Sequence, residues 1–210
     1  MNVTRNRPVA TAATEFEPGI WAVTRQGPTL PRGHPHDLAD AAGLADWRAA
    51  EFLAGRALLR ELLAATVPEA ADGRVTLGPN GKPGLADRPD LGISIAHDRG
   101  HVAACVAIGR AVGIDIQLPA EELGDGVVRK CVRQGRERLD ALPPAERARE
   151  FAWIWTVQEA CVKAEGSGLS GGPWTVDVPV GETTGRWKTF RWRSLRDRSD
   201  TPLSCAWELM

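Results

Sequence analysis

An α+β fold is predicted by three features of the sequence. Two long stretches, Asp46–Ala65 and Ala145–Glu165, carry apolar residues at helical spacing. Short apolar or alternating runs bounded by glycine and proline read as strands in both halves of the chain. No repeat or low-complexity linker interrupts the pattern, so strands flanked by helices account for most of the chain.

The elements follow in order. The first 15 residues lack bulky apolar side chains and read as a mobile lead-in. A strand is expected near Gly19–Thr24, and a loop over Thr29–His36. Asp46 stands where a helix N-cap belongs, and Phe52, Leu58, Leu59, Leu62 and Leu63 form the apolar stripe behind it. Gly78–Gly84 (GPNGKPG) is a turn with Lys82 inside it, because Asn-Gly tolerates positive φ and Pro83 blocks a helix. Gly92–Ala96, His101–Ile108 and Val112–Gln117 read as strands, the last two joined as an apolar hairpin through Gly109-Arg110. Leu118–Asp125 is loop. Gly126–Leu142 reads as mostly helical, until Pro143-Pro144 breaks it. Three further strands are expected at Trp174–Val178, Arg186–Ser194 and Leu203–Leu209.

Composition excludes several classes. A chain of 210 residues buries roughly 70% of its unfolded surface and needs no staples. Its formal net charge of −1 makes the whole molecule a poor electrostatic match for nucleic acid, so a charged partner must be met by a local patch. Cys105, Cys131, Cys161 and Cys205 form no CxxC pair and no cluster with histidine, and read as small buried hydrophobes in a reducing cytosol. No signal peptide and no run long enough to span a bilayer is visible, so a cytoplasmic location away from the membrane is expected.

The chemistry concentrates in two places. In the strand GIDIQ, Gly113–Gln117, alternation places Asp115 and Gln117 opposite Ile114 and Ile116. A carboxylate leaving an apolar strand needs a partner, because an unpaired buried charge is costly. In WTVQEACVKAEGSGL, Trp155–Leu169, Glu159 and Lys163 share an arc with Trp155, opposite Val157, Ala160 and Ala164. An exposed pair at this spacing is worth only about 0.3–0.5 kcal/mol, and a tryptophan beside it suits a cleft wall better than a solvated face. Gly166 supplies a helix stop, and Gly168 gives backbone room. Two carboxylates on separate elements, completed by phosphate oxygens and water, suit Mg²⁺. Arg56, Lys82, His97 and Lys163 offer cations to phosphates.

Taken in sequence, AEFLAGRALLREL (Ala50–Leu62), GPNGKPGL, SIAHD (Ser94–Asp98), GIDIQ and FAWIWTVQEACVKAEGSGL (Phe151–Leu169) resemble the motifs of the 4′-phosphopantetheinyl transferases. The resemblance is to the larger, monomeric Sfp type that serves polyketide and nonribosomal peptide synthases. It implies a pseudo-twofold pair of subdomains, each a small antiparallel sheet packed on a long helix. These would divide the chain into the lead-in 1–15, an N-terminal subdomain 16–110 and a C-terminal subdomain 111–210.

It also implies transfer of the phosphopantetheine arm of coenzyme A to a serine of an acyl or peptidyl carrier protein, with release of 3′,5′-ADP. By position, Asp115, Glu159 and Gln117 would hold Mg²⁺, and Glu159, Lys163 and Asp115 would be catalytic. Arg56, Lys82, Ala96, His97 and Gln158 would join them in binding coenzyme A.

Four positions depart from the commonest pattern: Ala96 for a serine, Asp98 beside an expected phosphate site, Gln117 for an acid and Gln158 for a lysine. They imply weakened coenzyme A binding, restored by Gln158→Lys. Carrier domains are usually acidic near the modified serine, so the basic segment with Arg129, Lys130, Arg133 and Arg136 is expected on the docking face.

Overall fold

The chain leaves its first sheet through a turn, Gly109-Arg110, and enters a second sheet rather than closing a hairpin. In the computed structural model, which describes residues 9–10, 12–27 and 33–209, strand β7 (His101–Ile108) lies between β3 (Ile20–Gln26) and β6 (Leu91–Asp98). The next strand, β8 (Val112–Ile116), pairs instead with β11 (Leu203–Glu208). The expected β7–β8 hairpin is therefore corrected. Both strands are buried on both faces, so alternation carries no signal for which neighbour each takes.

The first sheet runs β1-β3-β7-β6, where β1 is Val9–Ala10, with β2 (Thr14–Glu17) also pairing β3. β1 and β2 form within the stretch expected to be a mobile lead-in; the rest of residues 1–8 and residue 11 lie outside the described residues. Helix α2 (Asp46–Thr66) packs on this sheet with Leu58, Leu59, Leu62 and Leu63 fully buried, each contributing about 1.5–3 kcal/mol by leaving water. Asp46 opens the helix but makes no cap bond; Ala45 holds the cap position. Of the expected loop Thr29–His36, residues 29–32 lie outside the described residues, and Pro35 and His36 open a short helix, α1 (Pro35–Ala41).

The GPNGKPG segment joins β4 (Val75–Leu77) to β5 (Pro83–Leu85) as a hairpin, with Asn80 at φ 57° and Gly81 at φ 77°. The second sheet runs β8-β11-β10-β9, with β9 Thr184–Trp187 and β10 Phe190–Ser194. The expected single strand Arg186–Ser194 is thus a hairpin turning at Lys188, φ 52°. The expected strand Trp174–Val178 is absent; Pro173–Thr175 forms a single 3₁₀ turn, as a proline entry favours. The helical stretch Gly126–Leu142 divides into α3 (Asp125–Cys131) and α4 (Arg136–Asp140), because Gly135 takes φ 74°.

Helix α5 (Pro144–Glu165) is buried on almost every side. One side packs into the core shared with α3 and β10, and Trp153 enters the core between the sheets. Gly113 lets β8 lie directly on this helix: a methyl there would overlap Ala160 O and stand 2.5 Å from Ala164 N. Gly166, at φ +85°, ends α5 in a left-handed turn while its N–H bonds Val162 O at 2.9 Å.

The two sheets meet edge to edge. β6 ends the first sheet and β8 begins the second, and the strands run side by side in the same direction. A methyl on Gly92 would overlap Arg110 O, so the backbones touch there. No backbone ladder joins them. Two side chains of β6 take its place: Ser94 Oγ accepts from Ile114 N–H at 3.1 Å, and Asp98 Oδ2 accepts from Leu118 N–H at 2.7 Å. Beneath this seam Phe16, Ala96, Cys105, Ile114, Trp153 and Trp207 form one apolar core common to both sheets. All four cysteines are free and buried.

Candidate functional site

A cavity of about 250 Å³ opens between the first sheet and helix α5. Its walls are the β4–β5 turn (Asn80, Gly81, Lys82, Pro83), the β6 edge (Ser94, Ile95), one face of α5 (Glu159, Lys163) and the turn that follows it (Gly166, Gly168, Leu169). Three separated motifs of the sequence thus meet here.

Lys163 Nζ bonds Asp115 Oδ1 at 2.6 Å and also Ile114 O at 3.3 Å, tying α5 to β8. Asp115 is only 7% exposed, and burial raises its carboxyl above the ordinary range while the Lys163 ammonium opposes that rise. Glu159 stands one helical turn before Lys163. Its Oε1 is buried with no hydrogen-bond partner among the described residues. Burial first, and then the Asp115 charge, lift its pKa, with Lys163 pulling the other way. An acceptor-only carboxylate oxygen left without a donor is a place for a cation or a proton.

Lys82 reaches across the cavity mouth to the end of α5, where its Nζ donates to Ala164 O. Asn80 Nδ2 donates to Gly166 O at 3.1 Å beside it. The turn thus binds two carbonyls of the helix C-terminus, where the helix dipole favours a cation. Desolvation lowers the Lys82 pKa. Its side chain also separates the cavity from a neighbouring one of about 400 Å³, bounded by Thr76, Pro79 and Glu165.

The other sequence candidates fall in different places. His97 is exposed at the outer end of β6, with Nδ1 3.6 Å from Glu51 of α2. Arg56 is 4% exposed, lies 4.9 Å over the Phe52 ring and leaves Nη1 unpartnered, but does not line the cavity. Ala96 is buried in the core between the sheets, so it contributes shape rather than a contact.

Gln117 donates from Nε2 to Asp98 Oδ2 and to Leu118 O, each at 3.3 Å, which turns its amide toward the seam. Asp98 is held by Leu118 N–H and stands 3.5 Å from Arg99 Nε; it is a seam residue rather than a repulsive charge in the cavity. Gln158 is the clearest correction. It is fully buried on the far side of α5, donating from Nε2 to Cys131 O at 2.7 Å and Val176 O at 2.9 Å. Its residue number places it beside Glu159, yet one step along a helix turns the side chain about 100° away. Trp155 stacks on Phe151 at 6.5 Å against the C-terminal core and is not a cleft wall.

Sequence reasoning missed Asn80, Ser94 and Leu169 as lining residues. Asn80 lies inside the quoted turn, and its positive φ was the available signal; Ser94 and Leu169 offered none without the fold.

The donor set fits a hard divalent cation. It consists of oxygens from two carboxylates on separate elements, one of them with an orphaned buried atom. Among the described residues, no group of three or more His, Cys, Asp or Glu gathers into a metal site, so further ligands would come from substrate and water.

A family model described as 4′-phosphopantetheinyl transferase superfamily matches residues 111–206, which span β8, α3 to α5, β9, β10 and most of β11. Residues 111–206 are thus similar to the 4′-phosphopantetheinyl transferase superfamily. Asp115, Glu159 and Lys163 all lie within the matched segment. Two relatives bear the same name. The protein slr0495 of Synechocystis sp., named as a 4′-phosphopantetheinyl transferase, is 33% identical over 128 residues, 58% of this chain and 51% of the relative. The 4′-phosphopantetheinyl transferase HetI of Nostoc sp. is 30% identical over 125 residues, 57% of this chain and 53% of the relative. The chain therefore spans about half the length of the curated relatives it matches.

Proposed function

We propose that the protein transfers the 4′-phosphopantetheine arm of coenzyme A to a serine hydroxyl of an acyl or peptidyl carrier protein, releasing 3′,5′-ADP. The observation that carries this reading is the buried, unpartnered Glu159 Oε1 on a cavity walled by the β4–β5 turn, β6 and α5, next to the Lys163–Asp115 pair. The superfamily match and the named relatives supply the reaction class.

The residues divide the work as phosphoryl transfer requires, by positioning and charge neutralisation. Lys82 and Lys163 present ammonium groups to phosphate oxygens from opposite walls. Glu159 and Asp115 would hold Mg²⁺, which when bound neutralises charge on the diphosphate and its departing oxygen. Glu159 accepts the proton of the incoming hydroxyl, and the burial that raises its pKa makes it a stronger proton acceptor than an ordinary carboxylate. The serine oxygen forms its bond to the phosphorus that carries the pantetheine arm. The bond from that phosphorus to the bridging oxygen breaks, and the electron pair leaves with 3′,5′-ADP. In this reading exposed His97 would extend the anion-binding surface beyond the cavity, while Arg56, 4% exposed, would reach an anion only through its unpartnered Nη1.

The carrier would dock on the exposed surface of Arg129, Lys130, Arg133 and Arg136. Arg129 and Arg136 border a cavity of about 640 Å³ between α3, α4 and the start of α5. Arg136 is engaged with Asp140 at 3.2 Å, and Lys130 lies 3.3 Å over the Trp174 ring. Arg129 and Arg133 are therefore the freer charges for an acidic partner. Action as a monomer on carriers of polyketide or peptide synthases, in the cytoplasm, belongs to the same proposal; among the described residues no helix is long and apolar enough to cross a membrane.

The test is mass spectrometry of an apo carrier protein incubated with this protein, coenzyme A and Mg²⁺. Gain of one phosphopantetheine mass, lost with Glu159→Ala, supports the reading. No gain across several acyl and peptidyl carriers overturns it.

A further inference from the structure

Ser94 sits at the seam where the two sheets meet, 3% exposed and yet on the cavity wall. The register of β8 with β11 explains why it is needed. Ala111 O accepts from Glu208 N–H, and Gln117 N–H donates to Pro202 O, so the odd-numbered residues of β8 bond to β11. Ile114 therefore turns its N–H the other way, toward β6, where no backbone acceptor meets it. The Ser94 oxygen takes that amide at 3.1 Å. A buried N–H is costly to leave unpaired, so the hydroxyl completes the edge of the second sheet.

The same bond decides where the hydroxyl hydrogen goes. A serine oxygen that accepts from an amide still carries one O–H donor of its own. Among the described residues no acceptor stands within hydrogen-bond reach of it. The open side of Ser94 is the cavity, which it shares with Lys82 and Lys163. Ile114 O in turn accepts from Lys163, and the next residue, Asp115, holds the same ammonium. One serine thus holds the residue whose carbonyl meets the Lys163 cation and whose next neighbour is Asp115.

We propose that Ser94 is a ligand-binding and positioning residue: its oxygen fixes Ile114 of β8, and its O–H donates to a phosphate or diphosphate oxygen held between Lys82 and Lys163. The proposal rests on the proposed function only for naming that diphosphate as part of coenzyme A. It gives Ser94 a role that Ala96, two residues along the same face and buried, cannot fill.

The experiment compares wild type, Ser94→Ala, Ser94→Cys and Ser94→Thr by calorimetric titration of inorganic pyrophosphate with Mg²⁺, alongside thermal unfolding and the ¹H–¹⁵N resonance of the Ile114 amide. Loss of the hydroxyl in Ser94→Ala is expected to weaken pyrophosphate binding about tenfold or more, the factor a hydrogen bond to a charged group confers. It should also move the Ile114 resonance and speed exchange of that amide. Ser94→Thr, which keeps the hydroxyl, should restore both. If Ser94→Ala does not fold, Ser94→Cys carries the test, because a thiol of similar shape donates only weakly and should bind pyrophosphate less well. Wild-type affinity in the folded Ala or Cys variant, or no pyrophosphate binding by wild type, overturns the proposal. Binding that depends on Ser94, with no transfer to any carrier, leaves this proposal standing and removes the proposed function instead.

Discussion

Lys163 Nζ bonds Asp115 Oδ1 at 2.6 Å, across 48 residues of sequence and between a helix and an edge strand. This pair joins α5 to β8 beside the cavity that Lys163 lines. Removing the cation while leaving the carboxylate buried costs about 3–5 kcal/mol. Lys163→Met is therefore expected to lower the urea midpoint sharply, and Lys163→Met with Asp115→Asn to recover most of the loss. Equal stability of the single and double variants in urea titrations would show that the pair is not coupled.

Glu159 makes a pH prediction whose sign is opposite to that of an ordinary salt-bridged acid. Its folded pKa is raised, so between the ordinary carboxylate value and the raised one the folded state binds more protons than the unfolded state. Stability attributable to this group falls as pH rises through that window. Glu159→Gln should match wild type in acid and exceed it at neutral pH, while losing transfer activity. Unfolding titrations across pH check the first part; a wild type as stable as the variant above the window contradicts it.

Gly113→Ala tests the contact between β8 and α5. The added methyl would overlap Ala160 O and crowd Ala164 N, both of them backbone atoms of a packed helix. Overpacking of this kind costs about 1–3 kcal/mol. Because the shift separates Asp115 from Lys163, activity should fall more than stability. A carrier-transfer assay beside a thermal melt measures the ratio.

Gln158→Lys reverses a sequence-based expectation. An ammonium at this position would lie in the core between Cys131 O and Val176 O, far from solvent. Loss of stability is expected, with no gain in coenzyme A affinity. Calorimetric titration of the folded variant decides: tighter binding would place position 158 in the cleft after all.

Arg129→Glu with Arg133→Glu probes the docking surface. Both side chains are exposed, Arg129 on α3 and Arg133 in the link to α4, and neither lines the cavity of Glu159 and Lys163. The proposal expects a raised KM for an acidic carrier and a flatter salt dependence, with coenzyme A affinity unchanged. An unaltered KM across ionic strengths would move docking elsewhere.

What the sequence by itself determined follows from local rules. Helical spacing of leucines set α2, and apolar spacing with Gly166 at its end set α5 and its stop. Asn-Gly and proline set the β4–β5 turn, since these residues act on their own backbone. The superfamily motifs pointed to Asp115, Glu159 and Lys163 before any geometry was available.

What the tertiary structure decided is everything that depends on which surfaces meet. Apolar β7 and β8 could have paired with each other; only the fold put them in separate sheets and left β8 edge to edge with β6. That meeting turned Asp98 and Gln117 from suspected site residues into stitches of the seam, and brought Ser94 to the cavity wall. Gln158 and Glu159 are neighbours in sequence, but helix rotation and burial sent one into the core and the other into the cleft. A side chain's role in a site depends on the direction it points and on what is packed opposite it, and both are properties of long-range packing that no local pattern encodes.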